Sequence, residues 1–278
     1  MVTKVVVVAG VDANPRYKGT KDLFIKSWQQ TPSRLKNVVY EPLVINIRDG
    51  GEVGKFRQSG RFEWTLDTQL PTAFVSQMVR LIAPPQITAD FVVTSDIDML
   101  SLNPRLVDRS LSHLLSEHRE FVVARNVLPY GQFPICYNIG SPAAWKKLFA
   151  FPKDGSVEDF LKSVFTVRTA QTGYESTHGG LGWFADQEIL FEKINELFLS
   201  GFRIAFLTDR ETGHCRLDRA TVKNPLQKIS ALKAAFAGLY TDYHIHLPVQ
   251  KHQKLISLIL YANSLGESVR SKKTPLKR

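Results

Sequence analysis

The stretch FVVTSDIDML, residues 91–100, is where the chain shows its architecture. Phe91, Val92 and Val93 make a short apolar run, rich in β-branched and aromatic side chains, as expected of a strand covered on both faces. The run ends on Asp96 and Asp98, one Ile apart. Side chains alternate along an extended chain, so wherever that geometry persists the two carboxylates project from one side. Like charges held so close repel and raise one pKa unless a cation lies between them, which suits metal binding or shared-proton chemistry.

Strand and helix patterns alternate on both sides of this stretch. Upstream, KVVVVAG (4–10) reads as a strand, KGTKDLFIKSWQQ (18–30) has helical spacing, VVYEPLVINI (38–47) is extended, and a helix lies within TQLPTAFVSQMVRLI (68–82). Downstream, Pro104 starts a helix in NPRLVDRSLSHLLSEH (103–118), and EFVVARN (120–126) and CYNIG (136–140) are extended. Helices follow around SPAAWKKLF (141–149) and SVEDFLKSVFTV (156–167). The glycine-rich loop HGGLGW (178–183) opens the helix FADQEILFEKINELFL (184–199), and FRIAFL (202–207) is one more strand. This order predicts an α/β fold with a mostly parallel central sheet flanked by helices, whose ligands gather at the carboxyl ends of strands. Asp96 and Asp98 stand at such an end.

With 278 residues, 44% of them hydrophobic, the chain can bury a large core, and extensive disorder is excluded. We expect one domain over residues 1–248, then a C-terminal helix and basic tail over 249–278. In that helix, VQKHQKLISLILYANSL (249–265), the stripe of Leu255, Ile256, Ile259 and Leu260 should face the core, with peripheral membrane contact as the other use of such a face. No apolar run approaches the roughly 20 residues that span a bilayer, and KVVVVAG is too short for a signal peptide, so a cytoplasmic protein is expected. Cys136 and Cys215 lack metal-ligand spacing and read as reduced packing residues. The net charge of +10, part of it in the tail VRSKKTPLKR (269–278), favours an anionic partner. A hard divalent cation on paired carboxylates is usually shared with substrate phosphates, which points to a phosphorylated substrate.

The strand VVTSDIDML, the preceding SQMVRLIAPP, and the later YNIGS, WFADQEIL and TDYHIHLP occur in an order that resembles GT-A-fold nucleotide-sugar glycosyltransferases. The likeness covers roughly residues 4–248 and runs closest to small transferases of bacteria and large algal viruses. It implies a Rossmann-like single domain and transfer of a sugar from a nucleoside diphosphate, UDP above all, to a hydroxyl of a saccharide or glycan, with Mn²⁺ or Mg²⁺ as cofactor. Nucleic acid is not an expected partner. By the same resemblance Asp98 is a direct metal ligand, Asp96 contacts ribose or metal, and His244 is a further ligand with His246 as its rival. Ala9, Gly10 and Val11 would border the base, with Gly10 allowing close approach. Arg80 would reach the sugar nucleotide, and Arg57, in a basic loop, would close over phosphates. Asn138 would contact the sugar beside Gly140, which leaves room for it, and Trp183 would offer a stacking face. Asp186 would be the acceptor-side acid, either a general base or a sugar-binding carboxylate. Leu247 stands where similar sequences often carry a basic residue.

Two other function classes fit parts of the pattern. Paired acids on a basic body also serve metal-dependent nucleases and nucleotidyltransferases, although those gather more carboxylates, and AGVDANPRYKG (9–19) is a poor match to a glycine-rich phosphate loop. A non-enzymatic binding module would leave Asp96, Asp98, Asp186 and His244 without a use.

Overall fold

The fold grows outward from a first strand in which every residue from Val5 to Gly10 is buried. A computed structural model describes residues 2–126, 131–149, 156–169, 173–175 and 180–273. His178 and Gly179 of the glycine-rich loop and residues 274–278 of the tail lie outside the described residues. In chain order the elements are β1 (Thr3–Val11), α1 (Thr20–Gln29), β2 (Val38–Asp49), β3 (Phe56–Gly60), β4 (Glu63–Thr68), α2 (Thr72–Ile82), β5 (Phe91–Thr94) and β6 (Met99–Ser101). Then come α3 (Arg105–Ser116), β7 (Phe121–Val123), β8 (Asn138–Gly140), α4 (Pro142–Leu148), α5 (Val157–Thr169), α6 (Ala185–Leu199) and β9 (Ile204–Phe206). The remainder are α7 (Asp209–Thr212), β10 (Arg216–Asp218), α8 (Pro225–Phe236), β11 (Asp242–His244) and α9 (Val249–Lys273).

The predicted α/β architecture is present. Eight strands form one sheet in the order β3-β4-β2-β1-β5-β8-β7-β9. The centre is parallel, with β1 between β2 and β5, while β8 runs antiparallel to both of its neighbours. Alternation along β1 sends Val5, Val7 and Ala9 to one face, where they meet Phe24 of α1, Leu111 of α3, Ala235 of α8 and Ile259 of α9. Val6 and Val8 go to the other face, against Phe74 and Met78 of α2, Trp145 of α4 and Leu190 of α6. Full burial of such side chains stabilises by about 1.5–3 kcal/mol each, which is why an unbroken valine run suits a strand covered on both faces.

Ile256 and Ile259 of α9 are buried as the stripe predicted, and Leu255 and Leu260 are half-buried against the same core. Among the described residues no helix is long and apolar enough to cross a membrane. Both cysteines are free; Cys136 is buried, but Cys215 is exposed and so is not the packing residue expected.

A second sheet of three short strands, β10-β11-β6, has no counterpart in the sequence reading. Three-residue strands are too brief to show a period. The expected loop around Arg57 is also a strand: β3 pairs antiparallel with β4 at the sheet edge, and Phe56 packs on Trp64 with ring centroids 5.7 Å apart. Glycines and charges in GKFRQSGRF hide that pairing. Arg57 is ion-paired with Asp67, with Glu52 at 3.8 Å, and is not among the residues that line the cavity described below.

Candidate functional site

β5 stops at Thr94, and the chain turns between the two aspartates, at Ile97 and Asp98, with Met99 N–H donating to Asp96 C=O at 3.1 Å. The extended alternation expected to align the two carboxylates therefore does not persist. They still enter the same cavity, of about 360 Å³, which is lined by residues from β1, the loop after it, α2, this turn, the start of α6, and the β10 and β11 ends. Asp96 and Asp98 meet different cations there, Arg80 and Arg219.

Arg80, on the inward face of α2 and buried, spans two carboxylates. One guanidinium nitrogen is ion-paired with Asp96, and Nη2 donates to Asp186 Oδ2 at 2.6 Å. Asp186 sits in the first turn of α6, 1% exposed, and its Oδ1 accepts from Gln187 N–H at 2.9 Å. Burial raises its pKa against the opposing effect of Arg80. Asp186 is thus joined to Asp96 through one side chain, with both its oxygens hydrogen-bonded.

Asp98 faces the other side. Its Oδ2 accepts from Arg219 Nη1 at 3.0 Å and lies 3.2 Å from His244 Nε2, while His244 Nδ1 lies 3.0 Å from Asp218 Oδ2. Strand register brings these together, because Asp218 and His244 are opposite one another in the parallel β10–β11 pair, and Met99 opposes His244 on the β6 side. Burial pushes the Asp98 pKa up, but the His244 hydrogen bond and the charges of His244 and Arg219 outweigh it and bring it to about 2. His246 is not among the residues that line the cavity: β11 ends at His244, and the His246 ring meets Tyr243 Oη at 3.0 Å and lies tilted against the His252 ring.

Among the described residues no group of three His, Cys, Asp or Glu is arranged to hold a metal ion. Asp98 and His244 nevertheless fit one as a pair. Two ligands at right angles on a cation about 2.1 Å from each stand about 3 Å apart, close to the 3.2 Å between Oδ2 and Nε2. Asp218 on Nδ1 is the outer partner that metal-binding histidines take. Asp96, engaged by Arg80, does not join them.

The other expected residues divide. Gly10, Val11 and Trp183 line the cavity, and Trp183 also lines an adjoining hollow of about 520 Å³ beside α5 and α6. Ala9 is fully buried in the core instead. Gly10 lacks a side chain for helix packing rather than for a ligand, since a Cβ would run into Ser76 C=O and Val79 of α2. Gly140 likewise makes room for the Phe121 ring. Asn138 is 1% exposed and spends its Nδ2 on Pro134 C=O at 2.7 Å and Ile135 C=O at 2.9 Å, holding its own loop.

Residues that the sequence reading passed over complete the walls. Arg219 lines the cavity from CRLDRATVK (215–223), a stretch the sequence did not mark out, and Asp218 of the same stretch stands behind His244. Asp12, Asn14, Arg16 and Tyr17 line the cavity from the loop after β1, and burial together with the Asp98 charge raises the Tyr17 pKa. Gln77 is buried at the cavity wall, and among the described residues its Oε1 has no hydrogen-bond partner. An unpartnered buried acceptor costs about 1–3 kcal/mol, and a ligand N–H or O–H would relieve it.

A second polar cluster lies one rung along the small sheet. Tyr137 Oη donates to Asp242 Oδ2 at 2.8 Å, Arg216 Nε donates to the same oxygen at 3.1 Å, and His214 Nδ1 lies 2.7 Å from Thr241 Oγ1. Burial, aided by Arg125 and Arg216 and opposed by Asp242, pulls the His214 pKa down from 6.5 to about 4. Between these values the unfolded chain binds a proton that the folded chain does not, so this histidine costs stability as pH falls from 6.5 towards 4. From pH 7 to pH 5 the cost is about 2 kcal/mol. Urea unfolding at both values should show His214→Asn losing that much less than wild type; equal losses would remove His214 as the cause.

No protein-family model matches the chain, and no curated protein matches it in sequence. Among solved structures it is similar to the glycosyltransferase GlyE of Streptococcus pneumoniae TIGR4, at 14% identity and a TM-score of 0.43, over 100% of this chain and 66% of that one. The apo form of GlyE gives 15% and 0.43, over 98% of this chain and 64% of that one. The chain thus spans just under two thirds of the GlyE chains. A third similar structure is the galactosyltransferase LgtC in complex with donor and acceptor sugar analogues, at 13% identity and a TM-score of 0.43, over 97% of this chain and 100% of that one.

Proposed function

We propose that this chain is a GT-A-type glycosyltransferase that moves a sugar from a nucleoside diphosphate, UDP in the first instance, to a hydroxyl of a saccharide or glycan. One observation carries the reading: residues from five distant segments, Gly10, Arg80, Asp96 with Asp98, Trp183 with Asp186, and His244, line a single cavity at the carboxyl ends of β1 and β5. These are positions at which the sequence resembles such enzymes. A nuclease-like site would gather several carboxylates on shared metals, whereas here Asp96 and Asp186 are both engaged by Arg80, and Asp98 by Arg219.

Asp98 and His244 would hold Mn²⁺ or Mg²⁺, with phosphate oxygens and water as the other ligands. When bound, the cation supplies Lewis-acid stabilisation of the charge on the departing diphosphate. Asp218 fixes the His244 ring so that Nε2 faces Asp98. Gln77 Oε1 accepts from a ligand hydroxyl or amide, and Trp183, which lines both hollows, offers an apolar face to a sugar ring. Of the two roles for Asp186, geometry favours the sugar-binding carboxylate. A base at this position would have to part from Arg80 within a buried pair.

Ligand-observed NMR of the full chain with a panel of nucleoside diphosphates and their sugars, with and without Mn²⁺, tests the reading. Mn²⁺-supported binding of UDP or its sugars is expected. Failure of every nucleoside diphosphate to bind would sink it.

A further inference from the structure

Asp98 Oδ2 is shared. The oxygen that lies 3.2 Å from His244 Nε2 also accepts from Arg219 Nη1 at 3.0 Å, and the same guanidinium nitrogen donates to Ile245 C=O at 3.1 Å. Arg219 lines the cavity, with its side chain 23% exposed. Its backbone is pinned in a tight turn, where Asp218 Oδ1 accepts from Ala220 N–H at 2.7 Å and Thr221 Oγ1 donates to Asp218 C=O at 2.7 Å. The base of the side chain is therefore fixed and the charged end reaches into the cavity. A divalent cation that took Oδ2 and Nε2 would lie beside a guanidinium already bonded to one of those atoms. Two positive groups cannot share that oxygen without strong repulsion unless an anion lies between them or the guanidinium moves.

We propose that Arg219 is a resident competitor for the cation position: it neutralises Asp98 in the empty site and passes to a phosphate oxygen when a nucleoside diphosphate brings the metal in. This rests on the nucleoside-diphosphate reading above and adds an order of events to it. Guanidinium suits the exchange, because its planar fork binds carboxylate and phosphate with the same geometry and keeps its charge throughout. The empty protein then binds a free cation weakly, and metal and diphosphate favour each other's binding.

The experiment measures Mn²⁺ affinity of the full chain by electron paramagnetic resonance, without nucleotide and with saturating UDP, in wild type and Arg219→Gln. The glutamine variant should bind Mn²⁺ alone about tenfold more tightly than wild type, yet lose about tenfold in UDP affinity at saturating Mn²⁺. Should Arg219→Gln fail to fold, Arg219→Lys carries the same comparison. It keeps the charge but not the planar fork, so both shifts should be smaller with the same signs. Unchanged or weaker Mn²⁺ binding in a folded variant, with wild type binding UDP and Mn²⁺ together, overturns the proposal and leaves Arg219 as a clamp on Asp98. If wild type binds no nucleoside diphosphate at all, the functional reading itself has failed and takes this proposal with it.

Discussion

Replacing Arg80 with glutamine should lower the folding free energy by about 3–5 kcal/mol at pH 7, the usual cost of leaving a buried charge without its partner. The guanidinium joins Asp96 to Asp186, and the latter is 1% exposed. Without it, two carboxylates share one wall of the cavity and repel. The deficit should shrink on acidification, because burial already raises the Asp186 pKa, and loss of Arg80 removes the influence that opposed it. Arg80→Gln combined with Asp186→Asn should recover much of the loss, since an amide can remain buried without a counter-charge. Urea unfolding of the three proteins at pH 7 and pH 5 provides the check. A single variant within 1 kcal/mol of wild type, or a double variant no better than the single, would mean that the three side chains are not one network.

Asp98→Asn keeps the shape of the side chain and removes its charge, and Mn²⁺-supported UDP binding should fall by at least about 100-fold. Arg219 and His244 both lose the carboxylate they face. His244→Ala should cost less, because the carboxylate remains. His246→Ala should cost little, with its ring against Tyr243 and His252 rather than in the cavity. Calorimetric titration of UDP at saturating Mn²⁺ ranks the three. Unchanged affinity in Asp98→Asn refutes its assignment as a ligand, and a loss in His246→Ala larger than in His244→Ala names the other ring.

The sequence was most legible where one residue type recurs long enough to show a period. The valines of β1 and the Ile256 and Ile259 stripe of α9 lie where pattern placed them, and α2 falls within the stretch read as a helix. The acid pair was legible as a feature at a strand end, but its geometry was not. Alternation predicts a common side only while the strand lasts, and β5 ends two residues before Asp96. Arg219 and Asp218 were hidden for a different reason: nothing in CRLDRATVK distinguishes a solvated charge from one brought to a distant carboxylate by strand register. Gly10 and Gly140 were expected to leave room for a ligand; what the packing itself requires is their lack of a side chain, since a Cβ at either meets a neighbouring element. Asn138 was expected to contact a sugar only through the resemblance carried by YNIGS. Its hydrogen bonds turn out to be local.

The two groups that compensate Asp98 lie 121 and 146 residues further along the chain. During vectorial synthesis the strands β1, β2 and β5 are complete long before Arg219 and His244 leave the ribosome. A nascent chain can therefore lay down the parallel centre of the sheet, but the turn that carries Asp98 holds an uncompensated carboxylate until the C-terminal quarter arrives. Burial of that charge is deferred rather than avoided. The cavity is consequently complete only once the chain as far as His244 is in place, well after the centre of the sheet.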